Sequence, residues 1–385
     1  MVLYEFIDYS TLKLIWWLLL GVLLIGFAMT DGFDMGVGAL LPFVGRTDTE
    51  RRVAINTIGP TWEGNQVWFI LGGGAIFAAW PPLYAISFSG FYLAMFVVLA
   101  AMILRPVAFK YRSKRPDPGW RDRWDWALFV GSFVPALVFG VAVGNVLLGI
   151  PFKLDPDLRM TYDGSFFGLF SPFTLLCGLL SVCMLVMHGG AWLGLRANGV
   201  VAERGRRYGS FAAIGAIVLF ALGGYLVSAG YVDGYRITSQ IDPNMPSNPL
   251  WKTVVTGDAA WMQNYAAYPI LWLAPALGFL GAFGALAGLN SRFERLTFVS
   301  SQLSVFGIIA TVGVSMFPFI LPSSVQPDAS LTVWDSASTH RTLFNMLVAT
   351  IIFMPMILIY TAWVYKVLWG KVDEQTIENN NDTAY

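Results

Sequence analysis

The stretch "TDGFDMGVG", Thr30 to Gly38, sets two carboxylates, Asp31 and Asp34, three residues apart inside an apolar run from about Leu12 to Val44. An ionisable side chain at bilayer depth costs a few kcal/mol and persists where it faces a bundle interior or a wet path, often beside a partner. At i and i+3 the two acids project from neighbouring positions on one helix face. The next apolar stretch contains "PTWEGNQVW", which adds Glu63, Asn65 and Gln66. If the two stretches form a helical hairpin turning near Thr49, Asp34 lies fifteen residues before the turn and Glu63 fourteen after it. Both acids then sit about 20 Å from the turn at 1.5 Å per residue. Asp31 falls one turn deeper, with Thr30, Asn65 and Gln66 as nearby hydrogen-bonding groups, and Pro42 is a place where the first helix can break.

Three chemistries fit such a cluster. The acids can form a protonatable ladder that leads protons into the membrane. They can be hydrogen-bonded pins between helices, or their oxygens can hold a sodium ion. Other polar residues in the apolar runs carry less. Arg105 is expected near a helix end, where its head can snorkel to water, and Asn145 is expected to make an interhelical hydrogen bond. The chain has only two histidines, His188 and His340, far apart in sequence. That leaves no bis-histidine haem site and no di-metal cluster, so no cofactor is expected to be ligated by this chain. Cys177 and Cys183 lie six apart on one helix, about 9 Å of rise, too far to bridge.

The elements that must position these groups are membrane helices. Of 385 residues 56% are hydrophobic and 12% charged, half the usual share of charge, and several runs exceed the length needed to cross a hydrocarbon core. The formal net charge is zero, which gives no reason to expect a nucleic-acid partner. The first run is too long for a removable signal and follows Glu5 and Asp8. The pattern predicts an all-α integral membrane protein, one polytopic domain over 1–370, with no internal repeat. Nine spans are expected, at about 12–44, 53–79, 82–110, 124–149, 165–195, 208–231, 265–289, 296–320 and 342–369, the sixth interrupted at Gly223 and Gly224. Residues 371–385 read as a disordered polar tail. Of 24 Lys and Arg residues, 17 fall after odd-numbered spans and 6 on the opposite side. This places the N-terminus outside and the tail in the cytoplasm. The outer side carries two long loops, about 232–264 and 321–343, expected to be solvated. Gly32 with Gly36, Gly140 with Gly144, Gly190 with Gly194 and Gly284 with Gly288 are small pairs at helical spacing, suited to close helix approach.

The residues also resemble a family. "GFAMTDGFDMGVG", "TERRVAINTIGPTWEGNQVWFILGGGAIFAAWP", "FSGFYLAMFVVLAAMILRPVAFKYRSK", "WDWALFVGSFVPALVFGVAVGN", "PILWLAPALG" and "ASLTVWDSASTHRTL" occur in order along the chain. Together they are similar to subunit II of the cytochrome bd-type quinol oxidases of bacterial inner membranes. The resemblance implies two four-helix bundles plus one peripheral helix. It also implies a partner, subunit I, that carries two b haems, one d haem and the quinol site and reduces dioxygen to water. A small single-span accessory subunit often joins them, and some relatives hold a structural quinone. It implies a proton path through Asp34, with Asp31 beside it, and Glu63. Many members have Asp where this chain has Glu63, one methylene longer, so geometry borrowed from Asp members does not transfer directly. Trp68 matches a tryptophan near an oxygen access route, although a core or interfacial tryptophan reads the same way. Against these stand a cation-coupled secondary transporter and a purely structural partner subunit.

Overall fold

The computed structural model describes residues 3–291 and 293–379. Its helices in chain order are α1 (Tyr9–Val44), α2 (Asp48–Ile58), α3 (Trp62–Ala79), α4 (Pro81–Gly90), α5 (Tyr92–Tyr111) and α6 (Pro118–Leu148). They continue with α7 (Pro172–Arg196), α8 (Gly199–Ser228), α9 (Gln263–Ala267), α10 (Leu273–Ser291), α11 (Glu294–Met316), α12 (His340–Val367) and α13 (Glu374–Asn379). Eight of these, α1, α5, α6, α7, α8, α10, α11 and α12, are long and apolar enough to cross a membrane. α3 adds an eighteen-residue helix whose first turn is polar. The protein is an all-α membrane protein.

Local chemistry explains where the helices begin. Asp117 accepts from the Trp120 amide ahead of Pro118, and Ser171 accepts from the Thr174 amide ahead of Pro172. Both are side-chain caps followed by a proline that lacks the N–H a first turn cannot use. Thr47 and Glu50 form a reciprocal capping box on α2.

Several spans differ from their expected outlines. The second divides at Gly59-Pro60-Thr61 into α2, packed among helix ends, and α3. The third divides at Phe91. α1 runs through Pro42 without a break, because the residue lies in its last turn. α8 is continuous across Gly223 and Gly224 and begins at Gly199. Arg204, Arg206 and Arg207 are therefore helical residues and not loop residues.

α1 is the centre of the packing. From Asp31 to Leu41 every residue is buried, as expected of a helix enclosed on all sides. It packs against α3, α6 and α7, and also touches α8, α11 and α12. The α1–α7 crossing is glycine on glycine. A Cβ at Gly36 would stand 2.0 Å from the Leu185 carbonyl oxygen, and one at Gly189 would stand 2.4 Å from the Gly36 carbonyl carbon. Gly140 meets Gly178 of α7, Gly190 meets Gly205 and Gly209 of α8, and Gly288 meets Thr297 of α11 in the same manner. α7 pairs with α8, and α10 with α11. α12 lies at the margin, with only Leu343 and Leu347 buried.

The two ends of the bundle are built differently. At the end carrying most arginines, Arg112 pairs with Asp125 and Asp48, Arg51 pairs with Asp125, and Arg121 pairs with Asp48. The tail is not wholly loose: α13 buries Ile377 against this end, and the Val372 amide donates to the Arg196 carbonyl. Residues 380–385 lie outside the described residues. At the other end the two long loops are folded and not merely solvated. β1 and β2 (Asp233–Ile237 and Val254–Asp258) form one antiparallel hairpin, and β3 and β4 (Phe319–Leu321 and Leu331–Thr332) form another. Both loops close over α1, where the fully buried Lys13 ammonium donates to the carbonyls of Pro243, Met245 and Trp334 at 2.9, 3.2 and 2.6 Å.

Two tests follow from this packing. Gly36→Ala is expected to disrupt the α1–α7 crossing and lower the melting temperature of the assembled complex, whereas Gly224→Ala, with nothing within 4 Å of its Cβ, leaves it unchanged. Equal melting temperatures for the two variants would contradict the crossing. Burial alone would raise the pKa of Glu50, but donation from the Arg46 and Thr47 amides and from Arg204 holds it below its ordinary 4.5. The stabilisation this gives is complete above the unfolded value and is lost as pH falls through the folded one. Acid melts below about pH 4.5 should therefore show a smaller pH slope in Glu50→Gln than in the unaltered chain.

Candidate functional site

The two acids of α1 have different surroundings. Asp31 is fully buried and takes two parallel hydrogen bonds from Arg105 of α5, Nη1 to Oδ2 at 2.8 Å and Nη2 to Oδ1 at 2.7 Å. Arg105 is itself fully buried. The expectation that it snorkels is therefore wrong, because its guanidinium turns inward to a buried counter-charge. A fork-on-fork pair occupies both carboxylate oxygens at once.

Asp34 is equally buried but only half satisfied. Asn65 Nδ2 of α3 donates to its Oδ2 at 2.8 Å, and the Asn65 Oδ1 accepts from the hydroxyl of Tyr365 on α12 at 2.6 Å. Oδ1 of Asp34 is buried without a hydrogen-bond partner among the described residues. A chain of polar groups thus runs Tyr365–Asn65–Asp34 across three helices.

Asp34 stands level with Asn65, and Glu63 sits about 3 Å nearer the arginine-rich end at the helical rise. Glu63 does not face Asp34. Its side chain is 67% exposed on the outer side of α3, 3.8 Å from Lys110 at the end of α5. Thr30 is also apart from the acids, bonding back to the Gly26 carbonyl of its own helix at 2.7 Å. Gln66 is half-buried and makes no side-chain hydrogen bond among the described residues. Of the expected polar supports only Asn65 reaches an acid. Trp68, one turn past Gly64, is half-buried with its ring on Gly26, where a Cβ would come within 3.1 Å.

Both histidines are hydrogen-bonded within the chain. His188 is fully buried, its Nε2 donating to the Met29 carbonyl at 3.0 Å and its Nδ1 2.8 Å from the Ser301 hydroxyl. His340 donates from Nε2 to the Ile7 carbonyl, and its ring lies against Tyr4 and Tyr9. Among the described residues no group of three His, Cys, Asp or Glu could hold a metal ion. Asn145 of α6 donates from Nδ2 to the Val141 carbonyl of its own helix at 2.8 Å and to the Leu169 carbonyl at 2.9 Å, in the connection ahead of α7, and not to a neighbouring membrane helix as expected.

Comparison with known proteins agrees with this architecture. Residues 12–368 match the family described as cytochrome bd terminal oxidase subunit II. Over 98% of this chain and the whole of each relative, it is 50% identical to cytochrome bd-I ubiquinol oxidase subunit 2 of Escherichia coli and 48% identical to a probable cytochrome oxidase subunit 2 of Haemophilus influenzae. In fold it is similar to a chain of the bd oxidase from Geobacillus thermodenitrificans, with a TM-score of 0.68 at 14% identity, covering 93% of this chain and 98% of that one. The protein is thus a subunit of a membrane-bound terminal oxidase. It belongs to the cytochrome bd terminal oxidase subunit II family, which implies a partner subunit I.

Arg105 and Tyr365 are the two members of the site that sequence reading did not place there. Arg105 carried a usable signal, since an arginine within an apolar span pairs with an acid by default. Tyr365 carried none, being 300 residues from Asn65. Arg105→Gln strands the Asp31 charge in a dry interior, which costs on the order of 3–5 kcal/mol, read as a lower melting temperature or failed assembly of the complex. The Asp31→Asn/Arg105→Gln pair should recover most of that loss. A single variant as stable as the parent would contradict a charged pair.

Proposed function

We propose that this chain is the haem-free subunit II of a bacterial ubiquinol oxidase that reduces dioxygen to water, and that it carries protons toward the haem-bearing subunit I through Asp34. The observation that carries this reading is the asymmetry of the two buried acids. Asp31 has both oxygens fixed by a permanent cation, so it serves as a counter-charge. Asp34 has one oxygen held and one open, and a carboxyl in that state can gain and lose a proton without breaking its anchor. Asn65 and Tyr365 orient it, and Tyr365 links it to the marginal helix α12.

Glu63 is the outlying member of the path. On the outer face of α3, beside Lys110, it is positioned to collect protons where this chain meets water or its partner. The basic bias of the arginine-rich end supports placing that end in the cytoplasm and the N-terminus outside. Protons taken from the cytoplasm, with quinol protons released outside, separate charge without pumping. The haems held by the partner would pass electrons from ubiquinol to dioxygen, and this chain supports that subunit through its outer helices. Trp68 with Gly26 shapes oxygen access from the bilayer. A single-span accessory subunit and a structural quinone are compatible with the exposed apolar surface, on which lipid also packs.

The test is Asp34→Asn and, separately, Glu63→Gln in the assembled complex. Haem content should be retained, while oxygen consumption with excess ubiquinol falls by at least about tenfold for Asp34→Asn, within the range of a lost proton-transfer group. Full turnover by both variants would leave the chain a purely structural partner.

A further inference from the structure

We propose that the arginine-rich end of the crevice between α8 and α10 binds the phosphate of an anionic membrane phospholipid. An open hollow of about 330 Å³ lies there, lined by Glu203, Arg206, Arg207, Ser210, Leu289 and Asn290. Two arginines and one glutamate are among these residues. Arg204, two residues earlier, is committed to Glu50 at 2.7 Å, but neither Arg206 nor Arg207 is ion-paired among the described residues. The hollow therefore holds uncompensated positive charge.

The packing keeps this charge in place. The stem of Arg206 lies across Gly194 of α7, where a Cβ would come 3.1 Å from its Cγ. Ser210 Oγ donates to the Arg206 carbonyl at 2.9 Å, and Asn290 Nδ2 donates to the Leu286 carbonyl at 2.8 Å while lying 3.4 Å from Ser210 Oγ. Gly209 brings α8 against Leu289, one of the residues that line the hollow.

The surroundings distinguish a lipid from a soluble phosphate compound. From the hollow an exposed apolar stripe descends α8 through Phe211, Ile214, Val218 and Leu222. α10 exposes Leu280 and Phe283. A ligand with a phosphate at one end and hydrocarbon at the other matches both parts of this surface. Basic pockets between spans at one membrane face have that use elsewhere.

The probes are dioleoylphosphatidylglycerol, dioleoylphosphatidylcholine and inorganic phosphate, added to the delipidated intact complex and read by native mass spectrometry. The phosphatidylglycerol adduct should exceed the phosphatidylcholine adduct and survive millimolar inorganic phosphate. Each arginine beside an anionic headgroup is worth on the order of fivefold in affinity, so Arg206→Gln/Arg207→Gln should weaken the adduct about 30-fold. Arg207→Gln alone, at an exposed position that cannot unfold the helix, should weaken it about fivefold. Equal binding of the two lipids, or an unchanged adduct in the glutamine variants, would overturn the proposal. Displacement by inorganic phosphate would overturn the assignment to lipid.

Discussion

A charged carboxylate in a dry interior must be neutralised where it stands, and the Asp31–Arg105 pair meets that requirement. Both groups are fully buried, and the guanidinium fork occupies both oxygens. A pair of this kind has little tolerance in angle, so it fixes the rotation of α1 relative to α5. Three residues further on, the helix has turned to within about 60° of the same direction. Asp34 therefore points toward α3 and not into the arginine, and its partner is the neutral amide of Asn65. One ion pair thus divides two neighbouring acids into a fixed charge and a carboxyl with one oxygen left without a partner among the described residues.

The rest of the fold permits this arrangement by enclosing α1. Eleven consecutive buried residues from Asp31 to Leu41 require helices on every side, and the glycines of α1 and α7 remove the side chains that would keep them apart. The ends are fastened by opposite means. Arginine–aspartate networks tie α2, α5 and α6 together at one end, while folded hairpins and the buried Lys13 close the other. Arginines such as Arg51, Arg112, Arg121 and Arg204 thus bear contacts as well as acting as topological signals.

Much of this was legible in the sequence. Apolar runs of spanning length marked the long helices, and glycines at four-residue spacing marked the close crossings, because both signals are local and repeat along the chain. Asp31, Asp34 and Asn65 were legible for the same reason: polar residues stand out against an apolar background. What failed depended on direction. Counting residues from a turn near Thr49 gave Glu63 a suitable depth but could not show that it faces outward, since α2 intervenes and resets the phase of α3. Arg105 was misread because its nearness to a helix end suggested water, when the nearest stabilising group was Asp31. Tyr365 could not be inferred, since only the packing of α12 brings it to Asn65. The long loops read as solvated because they are rich in polar residues, yet many of those residues bond inward, to one another and to α1.

The most direct test of the division between the two acids is redox-difference infrared spectroscopy of the assembled oxidase, following the carbonyl stretch of protonated carboxyl groups. A band that changes with reduction, vanishes in Asp34→Asn and shifts in Asn65→Ala through loss of its hydrogen-bond donor is expected if Asp34 exchanges the proton. A band that persists unchanged in Asp34→Asn would place the exchanging group elsewhere and contradict the central claim.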